Sequence, residues 1–450
     1  MEAALLNVLC VDVGSTFTKA ALVDPDAGVL LARAAVPTTV RTDVLDGVRA
    51  ARALMADGGH ALPEVEDREH TLLCSSAGGG LRLSVVGYQP TVTAEAGHRV
   101  GLSAGAKVVH VAGGELRRVG VTALRASRPD VVLLVGGTDG GNADVLLHNA
   151  RRLAAARLPA PVVVAGNVQA RDEVMQTLHD AGRTVVAADN VLPRIGVVEP
   201  GSARAAIREV FLHHVIGGKG LSRGPLFESL VRAATPDAVL AGVEELGRAL
   251  GEDVMVVDIG GATTDVYSVL TPEGEDATLR KHVVATLWHA RTVEGDLGMR
   301  WSAATVLQAA RAEHLPGADE PDLHAWVTLV VAEPARVPQS PEEQRLDLEL
   351  ARLAGLLAVR RHGRPASPGE APRPLTNVAH LVGSGGVLRH AEPAAARRVL
   401  AGVLADHGGG WRPPDGARPA VDTAYLLCAV GLLAPEHPRA AAALAHQVVG

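Results

Sequence analysis

The sequence predicts an α/β protein built from two like lobes. Three observations carry this expectation: a hairpin pattern at Val8–Val23 that returns at Val254–Val269, fully apolar strand-length runs alternating with helical segments through the middle, and a length of 450 residues, beyond the size at which single cores stop growing. In the first hairpin an apolar run, Val8–Val13, carries one acid, Asp12, and enters a Gly14-Ser15-Thr16 turn, from which a second run, Ala20–Val23, departs. Glycine at position 14 lets the backbone approach a ligand closely, and the hydroxyls of Ser15, Thr16 and Thr18 join the N–H groups of the turn. Together they make a phosphate cradle. A carboxylate is costly in a buried strand unless it holds a cation or the cation's water shell, so Asp12 facing a phosphate implies Mg²⁺ between them.

Laid on the first hairpin without gaps, the second places Asp258 on Asp12, Gly260 on Gly14, Thr264 on Thr18 and Asp265 on Lys19. Gly261 and Thr263 complete its turn. Two such hairpins imply two like halves facing one nucleotide. With these residues in view the sequence resembles the actin, sugar kinase and Hsp70 ATPase superfamily, in which one hairpin of each lobe grips the phosphates. A third segment, His380–Val387, is similar to the adenosine loop of that superfamily, where a strand ends in glycines against base and ribose, here Gly383, Gly385 and Gly386. The resemblance implies ATP or ADP with Mg²⁺ as cofactors. It assigns Asp12 and Asp258 to the metal and the catalytic step, and the turn residues, with Lys19, to the phosphates.

Hydrophobic residues make up 47% of the chain, yet there are only 4 Trp, 3 Tyr and 3 Phe, so the core must be built from Ala, Val and Leu. Little stacking surface is left for single-stranded nucleic acid. Net charge is −7 with acids and bases interspersed, which disfavours nucleic acid and anionic membrane as partners. No signal peptide is read at the first residues and no apolar stretch reaches the length of a membrane span, so a cytoplasmic location is expected. Cys10, Cys74 and Cys428 lie far apart in apolar runs and read as buried thiols in a reducing compartment.

Taken in order, Val29–Pro37 reads as a third strand and Asp43–Ala56 as a helix with Asp43 as N-cap. Thr71–Ser75 is a short strand running into Ala77–Gly80, and Leu81–Tyr88 alternates as an edge strand does. From Thr93 a helix, a Gly turn and a strand at Lys107–Val111 open a βα rhythm that continues to about residue 216. Its clearest unit is the strand Val131–Val135, the loop Gly136–Asn142, and a helix through Leu153. Strands at Pro161–Ala165 and Arg183–Ala188 follow, and their wholly apolar character argues for parallel sheet buried on both faces. Gly136–Asn142 holds four glycines in seven residues. It reads either as an anion or cofactor site at a helix N-terminus or as a turn needing positive φ, with Asn142 or Asp139 as cap.

Residues 199–250 read as mainly helical, broken at Gly217–Gly220. Thr292–Gly298 opens a helix, with its acids either favouring the helix N-terminus or helping to close the nucleotide cleft. Arg360–Pro374 and Gly408–Pro419 read as surface loops, and Thr423–Leu433 as a small-residue helix pressed between lobes. No Walker A loop, H-E-x-x-H or Gly-x-Ser-x-Gly motif occurs, and His213-His214 point to different faces of a helix. The expected domains are 1–248, a first lobe with an α/β region at about 91–216, and 249–450, a second lobe.

Cys74–Leu81, Thr93–Ala96 through Gly105–Val108, Leu134–Asn142, Pro161–Asn167 and Val257–Asp265 together resemble the glutamate mutase L family. That family is also called MutL or GlmL and is unrelated to the mismatch-repair protein of the same name. The one departure is an extra small glycine in Ala77–Gly80. The resemblance implies an ATP-driven chaperone or reactivating factor, a slow Mg²⁺-dependent ATPase, for an adenosylcobalamin-dependent aminomutase whose subunits would be its partners. Self-association into a homo-oligomer is compatible with this. A small-molecule kinase shares the fold and is the alternative, with Asp139 as its general base. An activator with a shared iron–sulfur cluster wants differently placed cysteines, and a membrane-tethered filament wants an amphipathic terminus that Pro438–Gly450 lacks.

Overall fold

The computed structural model describes residues 7–77, 81–89, 97, 100–101, 106–195, 197–211, 220–271, 288–365, 372–406, 414 and 416–449. It divides into two compact units, one of Met1–Asp24 with Leu30–Ala238 and one of Pro25–Val29 with Val239–Gly450.

In the first unit the apolar run of the hairpin forms β1 (Val8–Val13), antiparallel to β2 (Phe17–Asp24). β3 is Val29–Pro37, as read from the sequence. The helix Val44–Ala53 follows, capped by the Asp43 carboxylate, which accepts from the Leu45 N–H at 2.9 Å. β4 (Thr71–Ser75) runs parallel to β1, and β10 (Val231–Ala234) runs parallel to β4, giving the order β10-β4-β1-β2-β3.

The same unit holds a second sheet of β5 (Arg82–Gly87), β6 (Lys107–Gly113), β7 (Val131–Leu134), β8 (Val162–Val164) and β9 (Val185–Ala187). All its strands are parallel, in the order β6-β5-β7-β8-β9. Alternate residues enter two cores. Leu83, Val85, Val131, Leu133 and Val163 join the core of the first sheet, while Val86, Val132, Leu134, Val162 and Val164 pack against the helices Asp144–Ala156 and Arg171–Asp180. Burial on both faces is why these strands read as unbroken apolar runs.

The second unit repeats the first topology. β11 (Val254–Ile259) is antiparallel to β12 (Thr264–Leu270) and parallel to β14 (His380–Ser384). With β13 (Trp288–Glu294) and β15 (Arg418–Val421) the order is β13-β12-β11-β14-β15. Numbered in chain order within each sheet, both run fifth, fourth, first, second, third. In this unit the helix Leu426–Leu433 lies on the helix Thr235–Leu250 so closely that a Cβ on Gly242 would fall on the Leu427 carbonyl oxygen.

Five expectations are corrected. β5 is an interior strand: its alternation comes from Arg82, which donates to the carbonyls of Ser127 and Arg128, and from Ser84, 3.0 Å from the Ser127 hydroxyl. The stretch 199–250 contains β10, too short and small-residued to break a helical pattern. Thr292–Glu294 ends β13, and the next helix starts only at Ala303. Arg360 is the buried last turn of the helix Pro341–Gly363, paired with Asp406 at 2.6 Å and Glu313 at 2.8 Å. Arg418 and Pro419 belong to β15, an outermost strand where proline is tolerated. The helix expected from Thr93, apart from residues 97 and 100–101, lies outside the described residues, as do Gly78–Gly80, His213-His214 and residues 217–219.

His362 lies fully buried between hydroxyls, Nε2 at 2.8 Å from Ser268 Oγ and Nδ1 at 2.9 Å from Thr292 Oγ1. Burial holds its pKa well below the ordinary value, with Arg373 adding to the effect. The unfolded chain therefore takes up a proton near pH 6.5 that the folded chain refuses. Stability should fall as pH drops below about 6.5, by up to about 1.4 kcal/mol per pH unit from this residue. Urea unfolding at pH 7.5 and 5.5 checks it: His362→Gln should lose that part of the pH dependence.

Candidate functional site

The two hairpins share one register. Asp12 lies across from Lys19 and Val13 across from Thr18, while Asp258 lies across from Asp265 and Ile259 across from Thr264. On the parallel side Asp12 neighbours Cys74 and Asp258 neighbours Ser384. Each turn is closed by the same bond, Gly14 N–H to Phe17 O at 3.1 Å and Gly260 N–H to Thr263 O at 2.9 Å. A Cβ would lie 2.7 Å from the Phe17 carbonyl oxygen at Gly14 and 2.9 Å from that of Thr263 at Gly260. Glycine is required at both by this close approach.

The surroundings of the carboxylates differ. Asp12 is only 3% exposed, and its charge is met by the Thr235 hydroxyl at 2.6 Å, the Lys19 ammonium at 3.5 Å and the Cys74 thiol at 3.7 Å. Lys19 thus reaches the carboxylate rather than standing free in solvent. Asp258 is half-buried beside Asp265, whose own charge is met by Arg291 at 2.8 Å and the Thr263 hydroxyl at 3.1 Å. Ser15, Thr16 and Gly261 are exposed at the turns.

Two threonines at matching positions do another job. Thr18 and Thr264 are fully buried, with hydroxyls bonded to Thr38 Oγ1 at 3.1 Å and Leu297 O at 2.6 Å. They brace the hairpins against the next segment.

The glycines of β14 and of the loop after it divide in the same way. A Cβ on Gly383 would meet Leu388 at 2.6 Å and Leu400 at 3.0 Å, so this glycine seats a helix. Gly385, at φ +98°, brings the loop onto the Ile259 carbonyl beside the second turn. Gly386 alone of the three has open space above it.

Other residues were not legible as part of this region. Met299 N–H donates to Gly260 O, and Arg300 and Trp301 N–H to Gly261 O, which ties the segment after β13 to the second turn. The helix Pro341–Gly363 clamps that segment through Asp347, bonded to Arg300 at 2.8 and 3.0 Å, and through Arg361, bonded to Glu294 and Asp296. Arg361 holds the Asp296 carboxyl below its usual range, whereas burial raises that of Glu294. Nothing in the spacing of these residues announces such pairs.

Gly136–Asn142 lies at the carboxyl end of β7, as read, with Gly136, Gly137 and Gly140 at positive φ. Asp139 Oδ1 accepts from Val168 N–H at 3.2 Å and from the Asn190 amide at 2.8 Å, and the Asn167 amide donates to Gly141 O. Asn142 Oδ1 accepts from Asp144 N–H at 2.8 Å. The loop is latched by its neighbours. The three cysteines are buried and none is in a disulfide, and burial pushes the Cys10 thiol far up.

A five-stranded mixed sheet repeated in two units, each with an Asp-x-Gly hairpin, defines the actin, sugar kinase and Hsp70 class of fold. Comparison with known proteins narrows the class. The family model described as MutL protein matches residues 8–449, and Protein MutL of Clostridium tetanomorphum is 34% identical over 405 residues, 85% of this chain and 86% of that protein. The chain belongs to the MutL protein family. Among solved structures, nucleotide-free acetone carboxylase overlaps 95% of this chain and 70% of its own at 16% identity and TM-score 0.40. Gluconate kinase from Lactobacillus acidophilus overlaps 99% and 92% at 11% identity and TM-score 0.35.

The glycine assignments separate two neighbouring substitutions. Gly385→Ala should destabilise the chain by at least about 3 kcal/mol, the upper end of ordinary overpacking, since it combines positive φ with a backbone clash. Gly386→Ala should unfold like the parent. Thermal unfolding of the two variants side by side provides the check.

Proposed function

We propose that the chain binds ATP and ADP with Mg²⁺ and acts as an accessory protein that reactivates an adenosylcobalamin-dependent aminomutase of the glutamate mutase type. The observation that carries the nucleotide part is the shared register of the hairpins, which sets one carboxylate just before a glycine turn in each. The donors suit the group: carboxylate oxygens match a hard cation, and Ser15, Thr16 and Gly261 stand exposed at the turns. Asp12 and Asp258 would hold the metal through its water shell. Ser15, Thr16, Lys19, Gly261 and Thr263 would serve the phosphates, and Gly386, with Gly385 shaping the loop, the adenosine. The N–H groups of Gly14 and Gly260 close the turns, so donation to phosphate falls to the residues after them. Bound Mg²⁺ would neutralise phosphate charge as the terminal phosphoryl group leaves.

The accessory role rests on family membership. Its physical content is that nucleotide shifts partner binding only as far as its own affinity differs between two conformations. A coupling of about 1–3 kcal/mol changes partner affinity about 5–150-fold. The region 91–216 of the first unit is the proposed partner surface, being the part not needed for nucleotide. The kinase alternative relied on Asp139, whose Oδ1 already accepts two hydrogen bonds.

The test begins with the cognate mutase inactivated by turnover. Adding this protein with Mg²⁺-ATP and fresh adenosylcobalamin should restore activity, and Asp258→Ala should restore little. Recovery that is independent of ATP, or equal with Asp258→Ala, would remove the proposal. A small molecule consumed stoichiometrically with ATP would favour the kinase instead.

A further inference from the structure

The two hairpins meet one electrostatic problem with opposite residues. In the first, the position across from the carboxylate is Lys19, which reaches Asp12 directly. In the second it is Asp265, which sets two carboxylates on adjacent strands of one sheet face. Like charges so placed raise each other's energy unless a cation intervenes. The cation comes from the third strand: Arg291 of β13 is 6% exposed and places Nη2 2.8 Å from Asp265 Oδ1. Its guanidinium carbon lies 5.5 Å from the centre of the Tyr267 ring, the residue directly across from it.

Asp265 uses its two oxygens differently. Oδ1 takes Arg291, while Oδ2 takes the Thr263 hydroxyl at 3.1 Å. The carbonyl of Thr263 in turn accepts the Gly260 N–H that closes the turn. A continuous chain of contacts therefore runs from a buried arginine to the turn assigned to phosphate.

We propose that Arg291 is a positioning residue: by fixing the Asp265 carboxylate it fixes Thr263, and so strengthens the grip of the second turn on magnesium nucleotide without touching it. This rests on the nucleotide reading above. Positioning and plain electrostatics predict opposite signs. Removing a cation from beside two carboxylates would by Coulomb's law tighten Mg²⁺, whereas loosening the groups that shape the turn weakens binding. Groups that orient a metal site from outside typically matter about 10–100-fold.

The experiment is calorimetric titration of the full chain with Mg²⁺-ADP, which reads binding rather than turnover, for the parent, Arg291→Met, Arg291→Lys and Asp258→Ala. Arg291→Met should weaken binding about tenfold or more with unchanged circular dichroism, and Arg291→Lys should recover part of the loss. Affinity equal to or tighter than the parent in Arg291→Met overturns the positioning role. If that variant does not fold, Arg291→Lys decides alone, since it keeps the charge without the planar fork, and parent-like affinity overturns the role. A parent that does not bind, or binding undiminished in Asp258→Ala, removes the nucleotide reading underneath instead.

Discussion

A carboxylate held at the end of a buried strand is the constraint on which the rest of this structure depends. Asp12 is almost wholly withdrawn from solvent, and a charge so placed must be met by donors. Meeting it recruits β2 through Lys19, β4 through Cys74 and the residue after β10 through Thr235. Four of the five strands of that sheet are thereby fixed around one side chain. In the second unit the same demand reaches β12 and, through Arg291, β13.

Glycine divides into three uses around these carboxylates, and separating them gives the site its definition. Gly14 and Gly260 allow a turn to close on itself, Gly383 allows a helix to seat, and Gly385 allows one loop to lie against a strand end. Gly386 does none of these, and its lack of a side chain has no internal explanation. A glycine-rich stretch is therefore not a binding site by that fact alone, and the Gly136–Asn142 loop has its own internal supports in Asp139, Asn167 and Asn190.

Much of this was legible in the sequence because it is local. The hairpins announce themselves by period, by an acid out of place and by repetition. The Asp43 cap follows from a single carboxylate ahead of a helical run, and apolar runs gave the parallel sheet. What failed to show was settled by distant partners. Arg82 and Ser84 resemble the exposed face of an edge strand until Ser127 and Arg128 are seen to receive them. Arg360 reads as a loop residue until Asp406 and Glu313 surround it. Thr264 looks like a ligand by analogy with its turn, and only Leu297 shows that its hydroxyl is already committed. A pattern reader sees residue type and spacing; it does not see which donor has found its acceptor.

The difference between Lys19 and Asp265 also makes the halves unequal. The two sheets share an order and their hairpins a register, yet the position across from the carboxylate bears opposite charge. An aspartate there with no cation nearby would leave two half-buried acids to repel each other, so Asp265 and Arg291 stand or fall together. A lysine at 265 would instead set a second cation beside Arg291. The halves are alike in topology, and this pair of residues keeps their hairpins from being interchangeable.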